Sequence, residues 1–172
     1  MSDNTKRNTI LLERAVLIPL PPAQVFEFLT TGVPTHYRAM ARGHERFDVI
    51  GGGPLVMGSI VDCRERAGSQ EVHHRYVVRE LEPGRRLQLA STPSTSFVHL
   101  DGRTIEGKSD TVVTYELAGD PTQTRLHMTI AIAFASRWQL FVARVLGRTA
   151  KLWGAHQAEE LERLSELIAA QA

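Results

Sequence analysis

Apolar residues near the start of the chain form one strand-like stretch followed by two helix-like stretches. The segment "TILLERAVLI" (residues 9–18) is rich in aliphatic and β-branched residues, which is typical of a β-strand. Pro21 and Pro22 follow it. Because proline has no backbone N–H and a fixed φ, it ends a strand and suits the first turn of a helix. Apolar residues then recur at helical spacing over residues 25–29, and "VPTHYRAM" (residues 33–40) predicts a second short helix.

The middle of the chain has the pattern of an antiparallel meander. Strands are predicted near residues 45–50, 56–66, 70–80 and 85–91, separated by the turn-forming stretches "GGGP", "AGSQ" and "EPGR". Residues 110–119 and 122–134 predict a further strand pair. Residues 92–109 have a weaker pattern, although Asp101 and Gly102 give a strong hairpin signal between "SFVHL" and "RTIEG".

The last third of the chain changes to a helical period. Ser136 and Gln139 have the spacing of a capping box. Apolar residues at steps of three and four follow further on, which predicts one long helix over residues 136–170. Two glycines inside it, Gly147 and Gly154, are the positions where a bend is expected.

One line of this predicted helix, traced back from Leu161, carries only small residues. They are Ala143, Gly147, Ala150 and Gly154. Small side chains on the inward face leave volume for a ligand, or they let the helix approach a sheet closely. Glycine costs about 1 kcal/mol in a helix relative to alanine, so two glycines in register need a structural reason. Both interpretations supply one, and both stay open.

The order of elements predicts an α+β fold in which a curved antiparallel sheet wraps around a long C-terminal helix, with two short helices after the first strand. The chain of 172 residues is expected to form one domain over residues 1–172, with residues 1–8 flexible ahead of the first strand. The prolines divert the chain from a plain hairpin, so the short helices are expected to close one end of the sheet.

Composition narrows the classes of partner. Hydrophobic residues are 42% and charged residues 23% of the chain, which is ordinary for a globular protein. A formal net charge of +1 gives no electrostatic reason to expect nucleic acid. Cys63 is the single cysteine, and the N-terminus lacks the apolar run of a signal peptide, so a reducing, cytoplasmic location is expected. "MTIAIAF" is too short to cross a bilayer, which predicts no membrane insertion.

Several stretches together resemble the SRPBCC superfamily, the START-related helix-grip proteins that include polyketide cyclases and birch-pollen-allergen-like proteins. "ERAVLIPLPPAQVFEFLT" looks like the opening strand, proline junction and first helix of that family, and "VVRELEPGRRLQL" resembles a later strand–turn–strand passage. "DTVVTYELAGDPTQTRLHMTIAI" is similar to the final hairpin. The chain departs from the pattern at residues 92–109, which are longer than the usual link.

The resemblance implies an apolar cavity between the sheet and the C-terminal helix, which in the family commonly holds lipids, polyketides or other hydrophobic molecules. Alternation places Val72, His74, Tyr76 and Val78 on one strand face, and the apolar character of this set points it inward. His74 and Tyr76 are then polar groups that orient a ligand oxygen, or a core pair that bonds to the backbone. The full set of predicted ligand-binding residues is His74, Tyr76, Val113, Tyr115, Met128, Ile130, Trp138, Phe141, Gly147, Ala150 and Gly154.

No motif assigns catalytic residues, a metal or a cofactor. Gly53 and Gly58 have the spacing of a phosphate-binding loop, but Ser59 stands where that motif requires lysine. His73 and His74 are adjacent in a strand and point to opposite faces, and no histidine and cysteine have ligand spacing. The sequence therefore predicts neither a metal site nor a cofactor.

Three functions remain open at this point. The first is a binding protein for a small hydrophobic ligand of the lipid, polyketide or aromatic type. The second is an enzyme of the cyclase or aromatase kind, in which a cavity histidine, tyrosine or arginine polarises a carbonyl or moves a proton. The third is a protein-interaction module with a filled core. A cavity of a few hundred cubic ångströms separates the first two from the third. The oligomeric state is open, with a homodimer as one alternative.

Overall fold

Seven strands and four α-helices form the chain in the computed structural model, which describes residues 8–100, 103–145 and 148–171. The strands are β1 Thr9–Ile18, β2 His44–Val49, β3 Ile60–Ala67, β4 Gln70–Glu82, β5 Arg86–Leu100, β6 Arg103–Gly119 and β7 Thr124–Phe134. The helices are α1 Pro22–Glu27, α2 Val33–Met40, α3 Arg137–Val145 and α4 Thr149–Ala169. This is the predicted helix-grip architecture.

All seven strands form one antiparallel sheet in the order β1-β7-β6-β5-β4-β3-β2. Strands β2 to β7 pair as a consecutive meander, and β1 closes the order by pairing with β7. The chain must therefore cross from one edge of the sheet to the other between β1 and β2. The helical segment that begins at Pro22 makes this crossing, which accounts for the prolines after the first strand.

The crossing segment is one continuous helical stretch in which a π-helical turn, Phe28–Gly32, joins α1 to α2. The two short helices are confirmed, but the sequence did not predict their connection as helical. Side chains from all three parts are buried, among them Val25, Leu29 and Tyr37. The stretch therefore packs one end of the core rather than lying on the surface.

Residues 92–109, where the sequence pattern was weakest, extend two long strands. Strand β5 has 15 residues and β6 has 17, and they pair up to Leu100 and Arg103. Asp101 and Gly102, the predicted hairpin turn, lie between these partners and outside the described residues. The register of β5 shifts between Ser91 and Ser94 against β6. Pro93, which cannot donate a ladder hydrogen bond, lies within this bulge.

The predicted single C-terminal helix is two helices. Helix α3 begins at Arg137, and the backbone N–H of Gln139 donates to Ser136 Oγ (3.2 Å), as the capping box predicted. Helix α4 begins at Thr149 after Arg148, whose φ of 49° is left-handed. A left-handed residue ends a helix, so the two segments do not share one helical phase.

The predicted inward line of small residues holds at Ala143, which is partly buried against the core, and is wrong at two other positions. Ala150 is exposed, and a Cβ built on Gly154 would meet no atom within 4 Å. Gly147 lies outside the described residues. The residues that α4 buries are Thr149, Trp153, His156, Gln157, Glu160, Leu161, Leu164 and Ile168. Leu161 is at one edge of this face, so a line traced back from it runs along that edge and misses the polar residues toward the other edge.

The structure describes part of the N-terminal segment and bears on the prediction of no membrane insertion. Residues 1–7 of the segment expected to be flexible lie outside the described residues, while Asn8 is buried. In the described part of the chain no helix is both long and apolar enough to cross a membrane.

Candidate functional site

A cavity of about 400 Å³ lies between the inner face of the sheet and the C-terminal helices. Its walls come from the crossing segment, from strands β2 to β7 and from α3 and α4. Most of the lining is apolar, including Val72, Leu87, Leu89, Val113, Met128, Ile130 and Ile132. These side chains occupy inward positions of alternating strands, so the pattern that builds the core also builds the wall. The size lies within the range of small-molecule sites.

The cavity reaches solvent between β6 and α3. Trp138 and Ile105 both line it, and they are 69% and 45% exposed. The predicted place of Trp138 at the ligand site is therefore at the mouth and not in the core. Phe141 is 50% exposed and stacks on Trp138 with ring centroids 5.6 Å apart, but it does not line the cavity. Helix α3 presents it to solvent instead.

His74 and Tyr76 face the cavity from β4, as the alternation predicted. They are 5% and 3% exposed, and their rings stack with centroids 4.7 Å apart. His74 Nδ1 lies 3.4 Å from Ser91 Oγ. Burial lowers the pKa of His74 to about 4, against the opposing charge of Glu65. The imidazole is therefore neutral at pH 7 and offers a neutral hydrogen-bonding group to the cavity.

Helix α4 contributes a buried carboxyl group to the wall. Tyr115 on β6 donates its hydroxyl to Glu160 Oε1 at 3.0 Å, and both residues line the cavity. Burial raises the pKa of Glu160 above its usual value, and the charge of Glu65 raises it further. Burial and the neighbouring carboxyl also raise the pKa of Tyr115. The pair joins a proton donor to a carboxyl group inside an otherwise apolar wall.

A second carboxyl group, Glu65 on β3, lies at the same end. Cys63 Sγ donates to Glu65 Oε1 at 3.0 Å, and Tyr37 Oη lies 3.1 Å from the same sulfur. Burial raises the pKa of Glu65, but the facing imidazole of His156 and the charges of His44 and His74 outweigh it and hold the pKa well below its usual range. Burial raises the pKa of the Cys63 thiol, so this cysteine is a protonated core residue.

Polar side chains also attach α4 to the sheet beside the cavity. The Trp153 indole N–H donates to Gln70 Oε1 at 2.7 Å, and Gln70 Nε2 donates to Thr149 Oγ1 at 2.9 Å. Gln157 Nε2 donates to the Met128 carbonyl at 3.0 Å. Such buried hydrogen bonds fix the helix in one position, because an apolar contact alone allows it to slide.

The structure therefore brings together seven of the predicted site residues and not the others. His74, Tyr76, Val113, Tyr115, Met128, Ile130 and Trp138 line the cavity. Ala150 and Gly154 join Phe141 in not lining it, and Gly147 is outside the described residues. Sequence reasoning did not identify Glu65 or Glu160. Glu65 had a signal, because Val61, Cys63, Glu65 and Ala67 alternate to one face of β3.

Comparison with known proteins agrees with this geometry. A family model described as "Polyketide cyclase / dehydrase and lipid transport" matches residues 9–169. No curated protein matches the chain. Among solved structures, the Zhui aromatase/cyclase from Streptomyces sp. R1128 superposes with a TM-score of 0.64 at 13% identity, covering 93% of each chain. The protein TTHA0849 from Thermus thermophilus gives 0.60 at 14% identity, covering 95% of this chain and 99% of that one.

A third neighbour differs in length. DynU16, a putative protein in the dynemicin biosynthetic locus, matches with a TM-score of 0.53 at 19% identity over 91% of this chain, which spans only 46% of that protein. Identities this low show a shared fold and no more. The family model covers nearly the whole chain, and the fold and cavity are those the sequence resemblance implied. The chain belongs to the polyketide cyclase/dehydrase and lipid transport family of the SRPBCC superfamily.

Proposed function

We propose that this protein binds a small hydrophobic molecule that carries a polar oxygen group, and that it does so in the cavity between sheet and helices. The observation that supports this is the combination of an apolar wall of about 400 Å³ with one polar end formed by His74, Tyr76, Tyr115, Glu65 and Glu160. A cavity of this size argues against the third alternative, a filled core used only for protein contacts. A cytoplasmic location and the oligomeric state stay predictions.

The polar end indicates which oxygen group suits the site. Glu65 carries negative charge, and Tyr115 already donates to Glu160. A hydroxyl or phenol can donate to these carboxyl groups, and a ketone can accept from a tyrosine, whereas the carboxylate of a fatty acid meets like charge. The expected ligand class is therefore a neutral aromatic or polyketide-like molecule.

Two ligands of equal size test the proposal. Binding of 2-naphthol and of 2-methylnaphthalene to the purified chain is measured by calorimetry, since the two differ only in the hydroxyl. One net hydrogen bond contributes about 0.5–1.5 kcal/mol, so 2-naphthol should bind about two- to tenfold more tightly. Native mass spectrometry of the protein as purified should show a co-purified small molecule. Absence of any naphthalene binding contradicts the proposal.

A second candidate function is catalysis of the cyclase or aromatase type. The contact that favours it is the hydrogen bond between Tyr115 and Glu160, because it places a hydroxyl and a carboxyl group together on the wall of a ligand-sized cavity. The likeness to a protein titled as an aromatase/cyclase also supports it. Aldol cyclisation needs a base that removes a proton beside one carbonyl and an acid that protonates the oxygen of the attacked carbonyl.

Proton exchange in a diketone separates catalyst from carrier. The rate at which the central carbon of benzoylacetone exchanges its protons for deuterium is followed by NMR with and without the protein. An enzyme of this kind should accelerate the exchange, and Tyr115→Phe should lower the acceleration by about 100-fold or more. A binding protein should leave exchange at the solvent rate and lose no more than about tenfold in affinity on the same substitution.

A further inference from the structure

Four titratable side chains from separate parts of the sequence meet behind the polar end of the cavity. His44 begins β2, Glu65 lies on β3, and His156 and Glu160 lie one turn apart on α4. His156 Nε2 is 3.6 Å from Glu65 Oε2, and His44 Nε2 is 3.8 Å from Glu160 Oε2. Both histidines are nine-tenths buried or more, at 5% and 6% exposed. Both carboxyl groups are also part of the cavity wall.

The two imidazoles each direct an unused nitrogen into this cluster. His44 Nδ1 is 2.8 Å from the carbonyl oxygen of Tyr37. Because a carbonyl only accepts, Nδ1 carries the proton, and a neutral ring then presents the lone pair of Nε2 to the carboxyl groups. Among the described residues, neither His44 Nε2 nor His156 Nε2 has a hydrogen-bond partner. Each of these buried nitrogens faces a carboxylate oxygen at 3.6 or 3.8 Å, a distance that a proton on the imidazole or a metal ion between the groups would satisfy.

The backbone around His44 is shaped to bring it into the cluster. In a regular strand Glu45 would share the inward face with Phe47, but the register of β2 shifts between His44 and Arg46. Bulges of this kind redirect a side chain, and here His44 is buried while Glu45 pairs with arginines outside. Gly43 makes the approach possible, because a Cβ there would lie 1.8 Å from the Arg66 carbonyl oxygen.

We propose that His44 Nε2, His156 Nε2 and the Glu65 carboxylate bind a divalent first-row transition metal, for which zinc is the probe. Their ligand atoms all lie within 4.8 Å of one another. Tetrahedral bonds of about 2.0–2.2 Å place ligand atoms about 3.3–3.6 Å apart, so binding an ion draws these side chains together by up to about 1.5 Å. The backbone acceptor on His44 Nδ1 is the outer-shell partner that metal-binding histidines normally have.

The chemistry of the three ligands indicates which metal ions they would bind and whether a coordination position stays open. Two imidazole nitrogens and one carboxylate suit zinc and iron(II), and they do not suit magnesium or calcium, which prefer oxygen. Three protein ligands leave a coordination position open. Glu65 belongs to the cavity wall, so an ion held by it would border the cavity and would supply Lewis-acid polarisation to a ligand carbonyl there. Glu160, beside the three ligands, adds a second carboxyl group near the ion.

Zinc and cobalt binding to the full chain tests the site without any organic ligand. The purified protein is treated with a chelator, dialysed and titrated with Zn²⁺ by calorimetry. We expect one equivalent to bind and the melting temperature to rise. Co²⁺ should give the intense visible absorption of a tetrahedral site and be displaced by Zn²⁺. In ¹⁵N spectra of the histidine rings, Zn²⁺ should shift the Nε2 signals of His44 and His156.

Matched variants separate this cluster from ordinary surface histidines. Glu65→Gln and His156→Gln should each weaken Zn²⁺ binding by about 100-fold or more, above the 10- to 100-fold that outer-shell changes cost. The control is His73→Gln, since His73 Nε2 lies 2.5 Å from Asp62 Oδ1, a closer histidine–carboxylate pair than those of the cluster but an exposed one. It should leave affinity unchanged. If a variant does not fold, the wild-type cobalt and nitrogen spectra still decide.

One result overturns the proposal. If the chelated wild-type chain binds no Zn²⁺ equivalent, or binds it equally well after Glu65→Gln and His156→Gln, the cation between these groups is a proton on an imidazole. Failure here leaves the naphthol experiment untouched, because that experiment uses no metal.

Discussion

The two C-terminal helices reverse the usual relation between polarity and burial. Helix α3 buries Leu140 but exposes three other large apolar side chains, with Trp138 at 69%, Phe141 at 50% and Val145 at 55%. Helix α4 buries polar side chains on its inward face, including His156 and Glu160 at 6% and 5%. One residue of each group lines the cavity: Trp138 of α3 at its mouth and Glu160 of α4 at its polar end.

This difference shows that a helix beside a cavity needs different side chains from a helix packed on a solid core. A helix packed on a solid core gains from apolar contacts along its whole inward face. Helix α4 covers a space lined by tyrosine and carboxyl groups, so its inward face carries partners for them. Helix α3 lies over the opening, where a tryptophan can serve a ligand without being covered by the protein. Each helix carries one of the two tryptophans, which makes the comparison testable.

The largest expected effect separates these tryptophans. Trp153→Ala should lower the free energy of unfolding by about 3–5 kcal/mol, because it empties a buried site and removes the donor to Gln70. Trp138→Ala should change it by no more than about 0.5 kcal/mol, as an exposed position does. Urea unfolding of both variants measures this. Equal losses in the two variants would show that α3 packs as firmly as α4.

The next effect is the pH dependence from the buried histidine on the facing strand. Burial lowers the pKa of His74 from 6.5 to about 4, while the charge of Glu65 raises it and that of His73 lowers it. The unfolded chain then binds the proton more readily between pH 6.5 and 4. The free energy of unfolding should therefore fall as the pH drops through this window, by up to about 3 kcal/mol from this residue.

His74→Gln isolates that contribution. Unfolding of the variant and the wild type is compared at several pH values with a chelator present, so that no metal contributes. The variant should lose stability less steeply between pH 6.5 and 4, and the two curves should run parallel above pH 7. Parallel curves throughout would mean that His74 is not held neutral by burial.

The smallest effect concerns the edge of α4. Gly154→Ala should raise the free energy of unfolding by about 0.5–1 kcal/mol, since a helical glycine costs about that much and a Cβ there meets no atom. The inward line predicted from the sequence implied the opposite, a loss of about 1–3 kcal/mol on enlarging these positions. Thermal and urea unfolding show whether the variant gains or loses stability. A loss would indicate that Gly154 lies on the buried face of α4.

The sequence predicted the strands, the two short helices and the inward face of β4, because each depends on local periodicity and on where proline can stand. Val72, His74, Tyr76 and Val78 alternate without interruption, so their orientation follows from the strand itself. The extension of β5 and β6 through residues 92–109 was missed because a proline and a bulge interrupt the pattern while the pairing continues.

The polar end of the cavity could not be predicted from the sequence, because it depends on features that do not appear in the periodic pattern of apolar residues. The inward position of His44 comes from a bulge, which no alternation predicts. On α4 the apolar residues mark only part of the buried face, and His156, Gln157 and Glu160 lie between Trp153 and Leu164 on it. Polar residues were counted as outward because burying them costs free energy without partners, and those partners come from distant strands.

Blocking the cavity from one strand tests the central claim most directly. Val113 points into the cavity from β6, while its neighbour Val112 points to the opposite face. Calorimetry with 2-naphthol is performed on Val113→Phe and on Val112→Phe, after unfolding curves confirm that both variants are folded. The account predicts at least about tenfold weaker binding for Val113→Phe, a loss of about 1.4 kcal/mol, and wild-type affinity for Val112→Phe. Equal affinity in the two folded variants would show that the ligand does not occupy this cavity.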